Sequence, residues 1–300
     1  MAVLSSGIAT RFARAALAGS PGPARLLGSF PTACYLLLGS GAVVAVLTCD
    51  AVQLPIGVTL PWSGKELDLR SLTAGEPAML SAGAPPEIRL GRLRIWVDGH
   101  RDPALTYCGR PVQLAGPAGF GWDGLLDSLG VPDAFGVPDA FGVPDAFGVP
   151  DAFGVPDAFG VPDPFEDPGT AVERLLGRGP GLTPAGDDLL CGALAATVLF
   201  GIADGGLAEA VLGRLAGNEL VTTSLSRQLL RCAVAGDGLP ELQGLAQALC
   251  RPDARAGEQA WRRLLAIGHS SGAALAAGLL SGARRAAATR PAAATRPAAA

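Results

Sequence analysis

The sequence predicts an α+β fold: an N-terminal, mostly antiparallel β-rich half, then a C-terminal α-helical half, with a disordered hexapeptide-repeat insertion between them. Three observations predict it. Apolar residues alternate in short runs bounded by Gly and Pro from about Leu27 to Leu114. A six-residue unit containing both Pro and Gly repeats from Gly130 onward. After Thr170 the apolar period becomes helical, with short Gly- or Pro-bearing connections. No alternation of strands and helices is visible, so a doubly wound parallel sheet is not expected.

Residues 1–26 form an N-terminal segment carrying Arg11, Arg14 and Arg25 and no acid. Its apolar stretch is short and interrupted by arginine, which argues against a secretory signal and for a short helix. The β-rich domain, residues 27–120, offers Ala33–Leu38 and Ala42–Thr48 around the turn Gly39-Ser40-Gly41, then Ile56–Leu60, Ile88–Leu90 and Leu93–Val97.

In the linker, residues 121–169, Gly-Val-Pro-Asp-Ala-Phe runs unchanged from Gly130 to Phe159, and a further copy carries Pro164 in place of Ala. Such perfect copies read as a recently expanded surface loop rather than a solenoid. The helical domain, residues 170–286, holds helices over Thr170–Leu176, Asp187–Ile202, Leu207–Ala216, Ser224–Ala235, Leu239–Cys250, Ala256–Ile267 and Gly272–Ala283. Residues 287–300 repeat an Ala-Thr-Arg-Pro theme and read as a disordered tail.

Composition narrows the function. Lys and Arg number 23 against 27 Asp and Glu, for a net charge of −4, and only 17% of residues are charged. A chain so sparsely charged lacks the basic face that a phosphate backbone demands, so nucleic acid is not an expected partner. Mean hydropathy is +0.35, yet the apolar windows Ala33–Thr48 and Leu189–Ala203 are short and glycine-broken, so no membrane span is expected. The 6 cysteines form no Cys-x-x-Cys pair, which suggests buried thiols in a reducing, cytoplasmic setting.

The densest chemical signal is Leu176-Gly-Arg-Gly-Pro-Gly-Leu-Thr-Pro-Ala-Gly-Asp-Asp188. Gly179, Gly181 and Gly186 permit close approach to the main chain, and the loop feeds the N-terminus of a buried helix, where free N–H groups favour an anion. No Gly-Lys-Ser/Thr follows, so this is not a P-loop. Thr183 or Asp187 could simply cap that helix. Adjacent Asp187 and Asp188 point about 100° apart on a helix, so one can cap or pack while the other faces a ligand or Mg²⁺, the one cofactor that such a pair suggests.

A second glycine turn, Gly268-His-Ser-Ser-Gly272, also opens a helix. There His269 is an acid–base candidate, and Ser270, Ser271 and Gly272 are anion-binding candidates or caps. A third polar helix start holds Thr222, Thr223 and Ser226. With two histidines and no Gly-x-Ser-x-Gly, a serine-hydrolase triad cannot be assembled.

Taken together, Gly179–Asp188, Thr222–Ser226 with Leu229-Leu230 and Ala235-Gly236, and Gly268–Gly272 resemble the AllH-like family, which includes a subunit of the oxamate carbamoyltransferase of anaerobic allantoin breakdown. The N-terminal half agrees more loosely, through Ser29–Tyr35 and Leu54–Val58. The resemblance implies the reaction of carbamoyl phosphate with oxamate to give oxalurate and phosphate, within allantoin and purine nitrogen catabolism. It also implies other carbamoyltransferase subunits as partners. The sites suit small anions such as carbamoyl phosphate, oxamate or oxalurate, bound at glycine-rich helix N-termini that could also stabilise an oxyanion. Departures are Ala185 where the family commonly has Ser, Ser270 where Thr is common, and Arg101 in place of a frequent Trp. The competing expectation is a non-catalytic assembly or metabolite-sensing protein using the same pocket.

Overall fold

The computed structural model describes residues 3–72, 78–81, 83–113, 163–217, 221–251 and 253–289. The hexapeptide array, apart from its last residues, and most of the expected tail lie outside the described residues.

The first half is strand-rich, with β1 (Val3–Thr10), α1 (Arg11–Ala18), β2 (Gly22–Ser29), β3 (Ala33–Leu37), β4 (Val43–Leu47), β5 (Gly57–Thr59), the single turn α2 (Leu69–Leu72), β6 (Ala78–Ser81), β7 (Glu87–Leu90) and β8 (Leu93–Arg101). These strands close into a barrel in the order β1-β5-β4-β3-β2-β6-β7-β8. The β1–β8 and β4–β5 pairs are parallel, and the other pairings are antiparallel.

Closure is what the prediction of a mostly antiparallel β-rich half left out, and β1 makes it. That strand pairs with β8 from Val3↔Leu93 to Thr10↔Arg101 and with β5 at Ile8↔Thr59. A short helix was expected in this segment; α1 is present, but a strand precedes it. The reason is the inverted pattern of β1. Its inward positions are the small Ser5, Gly7 and Ala9, while Leu4 and Ile8 face outward. A Cβ on Gly7 would sit 2.8 Å from both Ile95 and Val58, so the barrel interior has room for nothing larger there.

Alternation elsewhere sorts residues as the pleat demands. Cys34, Leu36, Val44, Val46, Val58, Ile88 and Ile95 fill the barrel. Ala13 and Leu17 of α1 join that core, and Thr10 caps α1 by accepting from Ala13 N at 3.2 Å. β4 is buried on both faces, because its outward residues Val43, Ala45 and Leu47 pack with Leu225 and Cys232 of the helical half.

The second half contains α3 (Pro168–Leu175), α4 (Ala185–Phe200), α5 (Leu207–Ala216), α6 (Ser224–Val234), α7 (Pro240–Leu249), α8 (Ala254–Leu265) and α9 (Ser271–Ala288). Helix α4 is central, apolar nearly all round, and pairs closely with α9. Glycine makes that approach possible: a Cβ on Gly192 would lie 2.1 Å from Leu275 O, and one on Gly278 would lie 2.0 Å from Leu189 O. Among the described residues, no helix is long and apolar enough to cross a membrane.

Candidate functional site

The glycine loop is held against the start of α4 by Asp187. Its Oδ1 accepts from Gly177 N at 2.7 Å, and its Oδ2 accepts from the Thr222 hydroxyl. Gly177 has a φ of +74°, and a Cβ there would meet Val221 O at 2.0 Å, so the turn requires glycine. Thr223 completes the tie. It caps α6 by accepting from Ser226 N at 3.0 Å and donates to Leu182 O at 2.6 Å. Asp187 is fully buried. Burial pushes its carboxyl above the ordinary value, while hydrogen bonds from Gly177, Thr222 and Ser226 pull the other way. Neither Thr183 nor Asp187 caps α4; Pro184 occupies that position with no side-chain hydrogen bond.

Asp188 is in a different situation. It is 5% exposed, and its Oδ2 is buried with no hydrogen-bond partner. Burial drives its pKa up to about 7. The Ser271 and Thr183 hydroxyls moderate that rise, and the neighbouring Asp187 charge adds to it. The Thr183 and Ser271 hydroxyl oxygens lie 3.1 Å apart, which joins the first two glycine turns at one point.

All three groups line a cavity of about 550 Å³ between the barrel and the helices. Phe30, Tyr35 and Leu47 come from the barrel side, and Leu225 and Leu229 from α6. Phe30 and Tyr35 meet edge to face, with ring centroids 6.0 Å apart. Cys191 also faces the cavity, but burial foremost, together with both nearby carboxylates, raises its thiol well above the ordinary value, so it is no thiolate nucleophile.

The remaining wall includes Asp237, which sequence reasoning missed. It follows the Ala235-Gly236 turn, is 3% exposed, and forms an ion pair with Arg11 at the start of α1. Both partners are unremarkable in sequence, and only barrel closure brings Arg11 to the helical half. No Lys, Arg or His is among the described residues lining the cavity.

The other predicted residues divide plainly. Gly181, Thr183, Asp188 and Ser271 line the cavity. Thr222, Thr223 and Ser226 secure the loop behind it. Gly186 and Gly272 are packing positions, where a Cβ would meet Leu175 O at 2.0 Å and Leu264 O at 2.1 Å. Gly179, with φ of +121°, is exposed and off the cavity. Ser270 precedes α9 without a side-chain cap bond, and His269 is exposed in the same turn, away from the cavity lining. Among the described residues, no group of three or more His, Cys, Asp or Glu is placed to hold a metal ion.

Residues 175–283 match the family described as "Oxamate carbamoyltransferase subunit AllH". Most of the helical region is thus similar to that family. The match spans both glycine turns, the Asp187-Asp188 pair and the Thr222–Ser226 helix start, and it leaves the barrel outside. The matched region therefore supplies Asp188, Thr183 and Ser271 to the cavity, and the barrel supplies Phe30 and Tyr35. No solved structure matches the chain.

Proposed function

We propose that the chain is a subunit of an oxamate carbamoyltransferase-type complex, reacting carbamoyl phosphate with oxamate to give oxalurate and phosphate in allantoin nitrogen catabolism. The observation that carries this reading is Asp188, a buried carboxyl of the matched region that lines the cavity and keeps one oxygen without a hydrogen-bond partner. When the oxamate amide nitrogen attacks the carbamoyl carbon, a C–N bond forms, the C–O bond to phosphate breaks, and the nitrogen sheds a proton. A carboxyl with a pKa of about 7 suits that exchange, since it is half ionised at neutral pH and can take the proton or return it in reverse. The Thr183 and Ser271 hydroxyls can donate to the oxyanion of the tetrahedral intermediate.

The phosphate needs another partner. With no cationic side chain in the described lining, it would meet the exposed glycine loop around Gly179 and Gly181 or a basic group from a neighbouring subunit. His269, outside the lining, is given no step, and Mg²⁺ would find its free protein oxygen on Asp188, since both Asp187 oxygens are engaged. The apolar lining also favours a second reading, a metabolite sensor without turnover.

Thermal unfolding of the purified chain with oxamate, carbamoyl phosphate and plain phosphate, with and without Mg²⁺, tests binding. A ligand at 100 times its Kd adds about 2.7 kcal/mol, a shift of several degrees. The reading expects a shift with oxamate or carbamoyl phosphate that Asp188→Ala abolishes, and turnover by the reconstituted complex that Asp188→Asn removes. Turnover unaffected by Asp188→Asn would leave the sensor reading.

A further inference from the structure

Burial makes three of the cysteines inert. It pushes Cys34 and Cys232 up to about 12 and Cys191 well above the ordinary thiol range. Cys108 is different. It lies in the strap, residues 102–113, that leaves β8 and crosses the helical half. Leu105 N ties the strap to Gly236 O at 2.9 Å, and the Gln243 side chain both accepts from Thr106 N at 2.7 Å and donates to Thr106 O at 3.0 Å. Further along, Cys108 N donates to Leu199 O at 2.9 Å and Gln113 N to Leu249 O at 2.8 Å.

These ties set the half-buried Cys108 against the C-terminal end of α7, where Cys250 is 3% exposed. The Cys250 thiol donates a hydrogen bond to the Cys108 sulfur, and Gln243 Nε2 lies 3.9 Å from the same sulfur. The bond from Cys250 foremost, with the Arg251 charge in support, holds the Cys108 thiol below its ordinary value against the opposing effect of burial. A partly exposed, acidified thiol touching a more buried one is the arrangement of an attacking cysteine beside its resolving cysteine.

We propose that Cys108 and Cys250 form a reversible disulfide that fastens the strap to α7, with a low-molecular-weight disulfide of the glutathione type as oxidant. The Cys108 thiolate attacks one sulfur of the oxidant, whose S–S bond breaks and whose other half leaves as a thiolate that picks up the proton Cys108 gave up. Cys250 then loses its proton and attacks the Cys108 sulfur, and the second small thiol leaves with that proton. The two cysteines lose two electrons and the oxidant gains them. The new bond closes a loop containing α3 to α7, and α7 carries Leu242 of the cavity wall. The proposal is independent of the carbamoyl-transfer reading.

The test is incubation of the full chain with oxidised glutathione, followed by disulfide mapping by mass spectrometry and by thermal unfolding. The map shows a Cys108–Cys250 bond that dithiothreitol reverses. Cys250→Ser traps glutathione on Cys108 as a mixed disulfide, whereas Cys108→Ser leaves Cys250 unmodified. Circular dichroism verifies that each variant is folded, and Cys250→Ala replaces the serine variant if it is not. Closing so long a loop raises the thermal midpoint of the oxidised chain by on the order of 10 °C. A mixed disulfide that persists on Cys108 in the wild type, a bond from either cysteine to another position, or both thiols left unmodified overturns the proposal. A Cys108–Cys250 bond with no rise in midpoint overturns the fastening of the strap.

Discussion

Asp187 and Asp188 are neighbours in the first turn of α4, yet the first has both oxygens bonded, to Gly177 N and the Thr222 hydroxyl, while the second has a buried oxygen bonded to nothing. The roughly 100° between consecutive helical positions turns one carboxyl into the scaffold and the other into the cavity. Stability and function should therefore separate between two adjacent acids.

Asp187→Ala strands a part-buried amide and a buried hydroxyl, at a cost of up to about 1–3 kcal/mol each. Denaturant titration should show a loss of about 2–5 kcal/mol. Asp188→Asn, which in an isosteric change removes a buried carboxylate with one unbonded oxygen, should leave stability unchanged or raised at neutral pH. Equal losses in the two variants would refute the division of roles.

The pH dependence follows from the raised pKa of Asp188. Its carboxyl titrates near 7 when folded and near 3.9 when unfolded, so between these values the native state holds more protons than the unfolded one. Stability must then fall as pH rises from about 4 to about 7 and level off above. The loss is of the order of a few kcal/mol. Asp187 shifts in the same direction, so the difference between wild type and Asp188→Asn isolates the Asp188 share. The variant's advantage should grow through that window; a difference independent of pH would show that Asp188 titrates normally.

Much of this architecture was legible in the sequence, and the parts that were not share a cause. The helices of the second half announce themselves through their apolar periodicity, and three of them begin at a side-chain cap, Asp167 for α3, Thr223 for α6 and Asp253 for α8. The strand β4 reads clearly because both faces are buried. By contrast, β1 hides because its inward residues are small and its apolar ones face out. Barrel closure, and with it the Arg11–Asp237 contact, depends on pairings between distant strands that leave no local pattern. Spacing alone showed that the two acids of α4 would diverge, but which one met the cavity depended on where the Thr222 hydroxyl arrived.

Glycine in the helices serves two purposes that substitution can distinguish. A Cβ at Gly278 of α9 would stand 2.0 Å from Leu189 O, a backbone atom that cannot step aside without parting α4 from α9. Gly278→Ala should cost at least about 1–3 kcal/mol as overpacking. Gly213 in α5 has open space around it, and Gly213→Ala should stabilise by about 0.5–1 kcal/mol through helix propensity. Thermal midpoints moving in the same direction for both would contradict the close α4–α9 contact.

The Arg11–Asp237 pair ties the barrel to the helical half at the cavity wall, and its two ends are unequal. Asp237 is 4% exposed at the side chain while Arg11 is 51% exposed, so the acid bears the desolvation and the arginine relieves it from a largely solvated position. Burial raises the Asp237 carboxyl, and the Arg11 charge and hydrogen bonds lower it. Removing Arg11 therefore leaves a buried acid that must protonate or recruit water. Screening on the exposed side limits the loss for Arg11→Ala to about 1–2 kcal/mol. Adding Asp237→Asn removes the stranded charge and should restore part of that stability, so the double variant should be more stable than the sum of the two singles. In the single Arg11→Ala variant the deficit should shrink at acidic pH, where protonation neutralises Asp237. Simple additivity, together with a deficit constant in pH, would mean that the contact contributes packing and no charge compensation.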